Sequence, residues 1–326
     1  MYIRIFKSIC IFVITHTPVL VKEVLKYLDP KPDENFIDAT VGEGGHSLEI
    51  IKRNGPYGRL LGIDSDKNQI ESSRQNLADF KDRVILVDDS YKNIKEIVEK
   101  INYKPVNGIL LDLGFSSWQI KESGRGFSFQ NDEMLDMRYS SKNELTAQKI
   151  VNEYPESEIE RILNEFGEEK FSKRIARKIT ESRKQKKIKS TLELVSIISQ
   201  AVPEKFKHKK IHFATRSFQA LRIAVNKELD NLKEFLPQAV EILSKGGRLV
   251  IISFHSLEDK IIKNFFKESG QIYPVKYRET VISPEAKLFK RVKILTKKPI
   301  TAQGEELKIN PQARSAKLRA IVKIAS

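Results

Sequence analysis

Three glycines stand close together where a short apolar segment gives way to a helix-like pattern. They lie in the stretch DATVGEGGHS (38–47), at positions 42, 44 and 45, although the chain of 326 residues contains only 15 glycines. Glycines after a strand let the backbone turn tightly and approach a ligand closely, and the N-terminus of the following helix favours negative charge. A tight turn without a ligand needs one glycine rather than three. A dinucleotide fingerprint would require a further glycine at Ser47, so the spacing excludes NAD and leaves other nucleoside cofactors open.

Acidic residues end two further predicted strands, and both positions suit a nucleoside-bearing ligand. Asp64 lies 22 residues beyond Gly42, where a carboxylate can accept hydrogen bonds from ribose hydroxyls, although capping of the next helix is an equally good interpretation. Asp112 ends the apolar strand of the segment ILLDLG, where burial of a carboxylate would be costly without a ligand. Tyr91, in VDDSY, could lie against an adenine face. We therefore expect a cofactor crevice at the carboxyl edge of a sheet.

A second group of residues suits contact with RNA. Arg216, Gln219, Arg222 and Asn226 recur every three or four residues and so occupy one face of a predicted helix. A solvated helix face is the alternative interpretation. However, the segment from 170 to 216 holds 15 Lys and Arg against three Glu, or +12 of the chain's formal +15. We expect the four side chains to contact RNA phosphates, with Arg125, Arg138 and Arg314 as further candidates.

The amino-acid composition limits which binding partners and which cellular compartment suit this protein. The net charge of +15 and the sequence pI of about 9.6 favour a polyanionic partner. Cys10 is the only cysteine, which excludes an intramolecular disulfide and a cysteine-ligated zinc and indicates a reducing, cytoplasmic compartment. No apolar run is long enough to span a bilayer, and the five histidines show no metal-ligand spacing. We expect no membrane association and no bound metal.

These residues must be positioned by a sheet, and the hydrophobic pattern predicts one. From residue 33 to 116, short apolar segments alternate with amphipathic ones, which is typical of a parallel sheet covered by helices on both faces. From 121 to 213 the pattern is helical, with Ser190 and Glu193 as a capping box. The α/β pattern returns as one helix from Ser217 to Leu243, the strand RLVIIS and a final antiparallel edge strand in AKLRAIVKIA. The sequence therefore predicts an α/β fold with an inserted all-helical domain.

Nine segments, taken in order, resemble the signature segments of the RsmH (MraW) family of S-adenosylmethionine-dependent methyltransferases: DATVGEGGHS, GIDSD, GILLDLGFSSWQI, RGFSF, LDMRY, FGEEKFSKRIARKI, ATRSFQALRIAVNKEL, GGRLVIISFHSLEDKIIK and NPQARSAKLR. The resemblance runs from about residue 16 to 323. It implies a class I methyltransferase domain with a Rossmann-like sheet, formed by residues 16–120 and 214–326, and an inserted, basic, RNA-binding helical domain at 121–213. Residues 1–15 form an N-terminal extension of unassigned role.

The resemblance also implies a reaction. The family transfers a methyl group from S-adenosylmethionine to the exocyclic N4 amine of a cytosine in the decoding centre of 16S ribosomal RNA, so the implied partner is the small ribosomal subunit. The oligomeric state stays open, with a dimer as one alternative. The family's cofactor contacts carry over to the positions that match its motifs, namely Gly44, Gly45, His46, Asp64, Tyr91, Asp112 and Gln119.

Two residues are candidates for the catalytic step. The exocyclic amine is a poor nucleophile because its lone pair is delocalised, and Asp112 could accept a hydrogen bond from it, although the resemblance assigns Asp112 to the cofactor. His255, shortly after RLVIIS, is a candidate for proton removal or base contact. A histidine that caps a helix beginning at Ser256 would need no chemistry. Glu43 departs from the family, which commonly has Arg there, and places an anion beside the cofactor loop.

Other classes of protein fit less well. A non-catalytic RNA-binding or assembly protein on the same scaffold would not need Gly44, Gly45, Asp64 and Asp112 intact, and calorimetry of cofactor binding separates this alternative. DNA amino-methyltransferases usually have Pro-Pro-aromatic after the corresponding acidic residue, whereas Asp112 is followed by Leu-Gly-Phe. Hydrolase chemistry has little support because the chain has no Gly-x-Ser-x-Gly elbow.

Overall fold

The fold is built on one sheet of seven strands, seen in a computed structural model that describes residues 18–208, 211–270 and 292–325. In chain order the strands are β1 (Phe36–Asp38), β2 (Leu60–Asp64), β3 (Val84–Asp88), β4 (Gly108–Asp112), β5 (Arg248–Ser253), β6 (Val292–Ile294) and β7 (Lys317–Lys323). Their order across the sheet is β3-β2-β1-β4-β5-β7-β6. Strands β1 to β5 are parallel, and β7 is antiparallel to both of its neighbours. The predicted Rossmann-like sheet is confirmed.

Helices cover both faces of the sheet because alternate residues of each strand point to opposite sides. In β4, Ile109 and Leu111 pack into one core and Leu110 packs into the other, and all three side chains are fully buried. Burial of each contributes about 1.5–3 kcal/mol. The helices outside the insertion are α1 (Val21–Leu28), α2 (Gly45–Arg53), α3 (Lys67–Asn76), α4 (Ile94–Lys100), α11 (Glu228–Ile242), α12 (Ser256–Ser269) and α13 (Glu305–Ile309).

A third core lies within the predicted helical insertion. After α5 (Ser117–Lys121), the chain forms α6 (Ala147–Glu153), α7 (Glu156–Gly167), α8 (Ser172–Arg183), α9 (Thr191–Ala201) and α10 (Thr215–Asn226). The predicted capping box of Ser190 and Glu193 is confirmed at the start of α9. Phe218 and Leu221 of α10 are buried in this same core. The helical unit therefore extends beyond residue 213, where the sequence placed its end.

The segment predicted as one helix from Ser217 to Leu243 is two helices. Lys227, between α10 and α11, has a φ of 51°. A left-handed residue ends an α-helix, and the Lys227 N–H donates to the Ile223 carbonyl as the C-cap of α10. The hydrophobic period continues across the break, so the pattern alone did not reveal it.

The last strand is antiparallel, as predicted, but it does not lie at the edge of the sheet. Strand β7 pairs with β5 on one side and with β6 on the other, so β6 forms the edge. The segment 270–304 contributes β6 and lies partly outside the described residues, and the extension 1–15 lies wholly outside them. Within the described ranges, no helix is both long and apolar enough to cross a bilayer.

Candidate active site

The loop after β1 has the backbone that its glycines were predicted to allow. Gly42 and Gly44 have φ values of 52° and 87°, in the left-handed region where a Cβ is strained. The Gly42 N–H donates to Asp64 Oδ2 at 3.0 Å. Gly45, at the start of α2, packs so closely against Pro18 that a Cβ would collide with it. The loop is therefore held against the end of β2.

Asp64, at the end of β2, accepts backbone hydrogen bonds with both oxygens. Besides the Gly42 contact of Oδ2, its Oδ1 accepts from the Asp66 N–H at 2.9 Å. The alternative interpretation that Asp64 caps the next helix is wrong, because the N-cap of α3 is Asp66, whose side chain accepts from the Asn68 N–H. Burial raises the pKa of Asp64 to about 7, although the two backbone hydrogen bonds favour its ionised form.

We expect binding of S-adenosylmethionine to tighten as the pH rises from 6 to 8. The ionised carboxylate of Asp64 is the better acceptor for ribose hydroxyls, and with a pKa of about 7 its ionised fraction rises roughly ten-fold over this range. The dissociation constant measured by calorimetry should fall by a similar factor. Because folding raises this pKa, the contribution of Asp64 to stability is complete below about pH 4 and is lost as the pH passes 7.

The Asp64→Asn protein is the control for this pH effect. It should bind the cofactor weakly and with less pH dependence, because an asparagine side chain cannot ionise. If both proteins showed the same pH profile, another group would be responsible for it.

Asp112, at the end of β4, has one oxygen without a hydrogen-bond partner among the described residues. Its N–H donates to Thr40 Oγ1 at 2.7 Å, which fixes the backbone against the loop after β1. Its Oδ2 lies 3.5 Å from Nε2 of the buried His46, whereas Oδ1 is buried and makes no hydrogen bond. An unpaired buried carboxylate oxygen is costly, so Oδ1 suits a donor from a ligand.

The other predicted cofactor residues line the same space, with one exception. A cavity of about 530 Å³ runs along the carboxyl ends of the strands, and its wall includes Gly45, His46, Asp64, Tyr91, Asp112 and Gln119. The ring of Tyr91 packs edge-on against Phe235, with 5.5 Å between ring centres. Gln119 Nε2 donates to Asp66 Oδ2 at 3.1 Å. Gly44 is the N-cap of α2 and is not part of the wall.

The structure adds Gln69 of α3 to this wall. Its side chain is 1% exposed, and neither atom of its amide has a partner within the described part of the chain. A buried amide with unused donors and acceptors suits a polar ligand. A glutamine in a polar helix is common in any sequence, so no pattern pointed to it.

These groups fit the predicted cofactor, S-adenosylmethionine. Asp64 offers an acceptor for ribose hydroxyls, Gln69 an unpaired amide and Asp112 an unpaired carboxylate oxygen. Tyr91 supplies an aromatic side chain on the same wall. The cavity volume of about 530 Å³ lies within the usual range for small-molecule sites.

Elsewhere on its wall, the cavity is lined by a charged cluster that joins the insertion to the sheet. Arg222 Nε and Nη2 donate to the two carboxylate oxygens of Glu228 at 2.8 and 2.9 Å, and the guanidinium lies 4.7 Å from the centre of the Phe115 ring. Burial opposes ionisation of the nearby Glu258, but contact with His255 lowers its pKa overall. The guanidinium thus pairs with Glu228 and also lowers the pKa of Glu258 through its charge.

His255 is the N-cap of α12, which confirms the helix-capping alternative given for this residue from the sequence. Its Nδ1 accepts from the Glu258 N–H at 3.4 Å, and Glu258 Oε2 accepts from the His255 N–H at 3.3 Å. Nε2 is buried, and although Glu258 Oε1 is 3.1 Å away, the two atoms are not aligned for a hydrogen bond. The capping role therefore leaves one ring nitrogen of a cavity-lining residue close to a carboxylate but without a hydrogen bond among the described residues.

The same cluster has the composition of a metal site. One ligand atom each from Glu228, His255 and Glu258 lies within 4.8 Å of the others. Arg222 already bonds both oxygens of Glu228, and Tyr139 Oη donates to one of them at 3.3 Å. The cluster thus contains its own cation, and the expected absence of a metal stays a prediction.

The four residues of α10 predicted to contact RNA have partners within the protein. Arg222 pairs with Glu228, and the side chains of Asn226, Gln219 and Arg216 donate to the carbonyl oxygens of Met137, Phe166 and Glu168. Arg216 is the only exposed one of the four. The spacing of residues in the sequence shows that their side chains share a helix face, but it does not show whether that face contacts protein, solvent or RNA. RNA contact through α10 stays a prediction, and Arg222 and Asn226 would have to give up internal partners to make it.

The three further RNA candidates differ from one another. Arg125 donates to Asp66 Oδ2 at 2.8 Å and to the Tyr139 carbonyl at 3.0 Å, so it links α3 to the insertion. Arg138 pairs with Asp136 at 2.7 Å. Arg314 is exposed. Of the three, Arg314 alone keeps its side chain in solvent.

Similarity to known proteins identifies the same family that the sequence motifs indicated. The model of the MraW methylase family matches residues 13–324. Ribosomal RNA small subunit methyltransferase H of Heliobacterium mobile is 47% identical over 310 residues, which cover 95% of this chain and 99% of the relative. Proteins of the same name from Sulfurihydrogenibium azorense (47% identity, 94% and 98% coverage) and Clostridioides difficile (43% identity, 95% and 99% coverage) are similar over nearly the whole chain. The chain therefore belongs to the MraW methylase family, and its cofactor is S-adenosylmethionine.

Proposed function

We propose that this protein methylates the exocyclic N4 amine of a cytosine in the decoding centre of 16S ribosomal RNA, acting on the small ribosomal subunit in the cytoplasm. The names of its relatives support a small-subunit RNA as the substrate. The observation that best supports an amine as the methyl acceptor is the buried Oδ1 of Asp112 on the cavity wall, which has no hydrogen-bond partner among the described residues. An acceptor at that position suits an N–H donor.

In this reaction, the role of Asp112 is to make the exocyclic amine more nucleophilic. When bound, S-adenosylmethionine supplies a methyl group activated by its sulfonium. The lone pair of the exocyclic amine is delocalised into the cytosine ring, and an acceptor that holds one N–H favours its localisation on nitrogen. Oδ2 faces His46, so the amine and the cofactor are alternative partners for Oδ1, the oxygen without a hydrogen bond among the described residues.

His255 is better suited to bind the cytosine ring than to remove a proton from its amine. Because Nδ1 accepts the Glu258 N–H, the proton of the neutral ring belongs on Nε2. Nε2 is then a donor, which suits the N3 or O2 acceptors on the Watson–Crick edge of cytosine. This inference replaces proton removal with base contact as the role of His255.

The cavity also offers aromatic surface to a base that has left its stack. Phe127 and Tyr139 are stacked, with ring centres 5.4 Å apart and planes at 10°, and both line the cavity. An enzyme that modifies a base in folded RNA must receive that base out of its stack, and aromatic side chains are the usual partners of an unstacked base.

The test is transfer of a tritiated methyl group from S-adenosylmethionine to small subunits that lack the modification, beside naked 16S RNA and DNA. We expect label in the subunits and, after digestion to nucleosides, in N4-methylcytidine. Label in another nucleoside, or in DNA, would overturn the proposal.

His255→Asn is an informative variant in this assay. Asparagine is a good N-cap, so α12 keeps its cap while Nε2 is removed. Slower transfer with unchanged cofactor affinity would support base contact by Nε2, and unchanged transfer would leave His255 as a cap only.

A further inference from the structure

We propose that the exposed face of α8 and the loop after it bind the phosphate backbone of folded RNA, away from the cavity. Between Lys170 and Lys189 the chain has ten Lys or Arg and one acidic residue, Glu181, a formal charge of +9 over this segment. The inference rests on the proposed function, in which RNA is the substrate. It also moves the main phosphate contacts from α10 to a different helix.

Most of these cations have no acidic partner among the residues that the structure describes. Arg177 pairs with Glu181 at 3.0 Å and Lys186 with Glu193 at 2.6 Å, while Arg183 donates to a backbone carbonyl. The other seven are at least partly exposed and form no ion pair within the described ranges. We call them the α8 surface: Lys170, Lys173, Arg174, Lys178, Lys184, Lys187 and Lys189.

The charge pattern of α8 is not that of an ordinary solvated helix. Arg174 and Lys178 lie four residues apart, as do Lys173 and Arg177, and like charges at this spacing destabilise a helix. Of these four cations, Arg177 alone has an acidic partner within the described ranges, Glu181. The neighbouring α7 has the ordinary pattern, because Arg161 lies between Glu158 and Glu165 and pairs with both. The repulsion on α8 would be relieved by a polyanion.

The shape of the surface also suits a nucleic-acid backbone. A groove of about 470 Å³ lies between α8 and α9, and its wall includes Lys178, Lys186, Lys187, Ser182, Gln185 and Ser196. Two carboxylates, Glu181 and Glu193, also line it, and each pairs with a cation, Arg177 and Lys186 respectively. Cationic and neutral donors occur there side by side. Phosphate oxygens accept from both kinds of donor, and 2′-hydroxyl groups exchange hydrogen bonds with hydroxyls and amides.

The test compares two triple variants with the same change in charge. Lys173→Gln, Arg174→Gln and Lys178→Gln remove three cations of the α8 surface, and glutamine is a good helix former. Lys260→Gln, Lys263→Gln and Lys267→Gln remove three exposed lysines of α12. Affinity for unmodified small subunits is measured without methyl transfer, over a series of salt concentrations, and cofactor affinity is measured by calorimetry as a check of folding.

We expect the α8 variant to bind subunits at least about ten-fold more weakly at moderate salt, with a log–log salt dependence shallower by roughly two to three. The α12 variant should change less, and both should bind S-adenosylmethionine like the unaltered protein. An α8 variant that matches the unaltered protein, or weakens no more than the α12 variant, would overturn the inference. Failure of the unaltered protein to bind or methylate subunits would instead overturn the proposed function.

Discussion

The Asp112→Asn protein should transfer methyl groups on the order of 10²-fold more slowly than the unaltered protein at saturating cofactor. Asparagine keeps the shape of the side chain, and the backbone contact with Thr40 does not depend on the carboxylate. What is lost is a charged acceptor at the unpaired Oδ1 position, which is where we expect the amine N–H. Single-turnover rates with unmodified small subunits measure this effect directly.

Cofactor calorimetry separates the two roles predicted for Asp112. If the carboxylate serves the amine, the rate falls while the dissociation constant of S-adenosylmethionine changes little. If it serves only the cofactor, the dissociation constant rises and the saturated rate stays near normal. Asp82→Asn, at an exposed carboxylate, is the matched control and should change neither quantity. Near-normal turnover of Asp112→Asn would contradict a catalytic role.

Arg222→Ala should lower the free energy of unfolding by about 3–5 kcal/mol. The substitution leaves Glu228 buried without its cation, close to the second buried carboxylate, Glu258. It also removes the guanidinium from the face of Phe115. Denaturant unfolding, followed by circular dichroism, measures the loss.

Two further variants show whether the buried charge is the cause. Arg216→Ala, at the exposed position of the same helix, should change stability by no more than about 0.5 kcal/mol. Arg222→Ala combined with Glu228→Gln removes both charges and should recover part of the loss. If Arg222→Ala kept full stability but weakened RNA binding, Arg222 would serve RNA as the sequence predicted and our structural interpretation would be wrong.

Local signals in the sequence were sufficient for the strands that carry the site. The apolar runs that end at Asp64 and Asp112 became β2 and β4 with those residues at their carboxyl ends. Gly42 and Gly44, after β1, have positive φ values, which is the tight turn that the glycine cluster indicated. Such signals are readable because strand burial, turn conformation and helix capping depend on residues that are close in the chain.

The surroundings of individual side chains in the folded chain were not readable in the same way. The sequence placed Arg222 on an RNA-binding face, but in the structure Arg222 pairs with the buried Glu228. Glu228 lies beyond a helix break at Lys227, which the hydrophobic period did not show. Gln69 had no distinguishing signal, yet the fold buries its amide without a partner on the cavity wall, within the residues that the structure describes. In each case the decisive quantity is what surrounds the side chain after folding.

The sequence by itself therefore determined the parallel sheet, the positions of the acidic residues at its carboxyl edge, the helical insertion and the family. Only the tertiary structure decided that β7 lies inside the sheet, that α10 faces protein, and that Asp112 Oδ1 and His255 Nε2 make no hydrogen bond with the described part of the chain. The physical reason is that local conformation follows from neighbouring residues. Burial and hydrogen-bond pairing follow from segments that meet only in the folded chain.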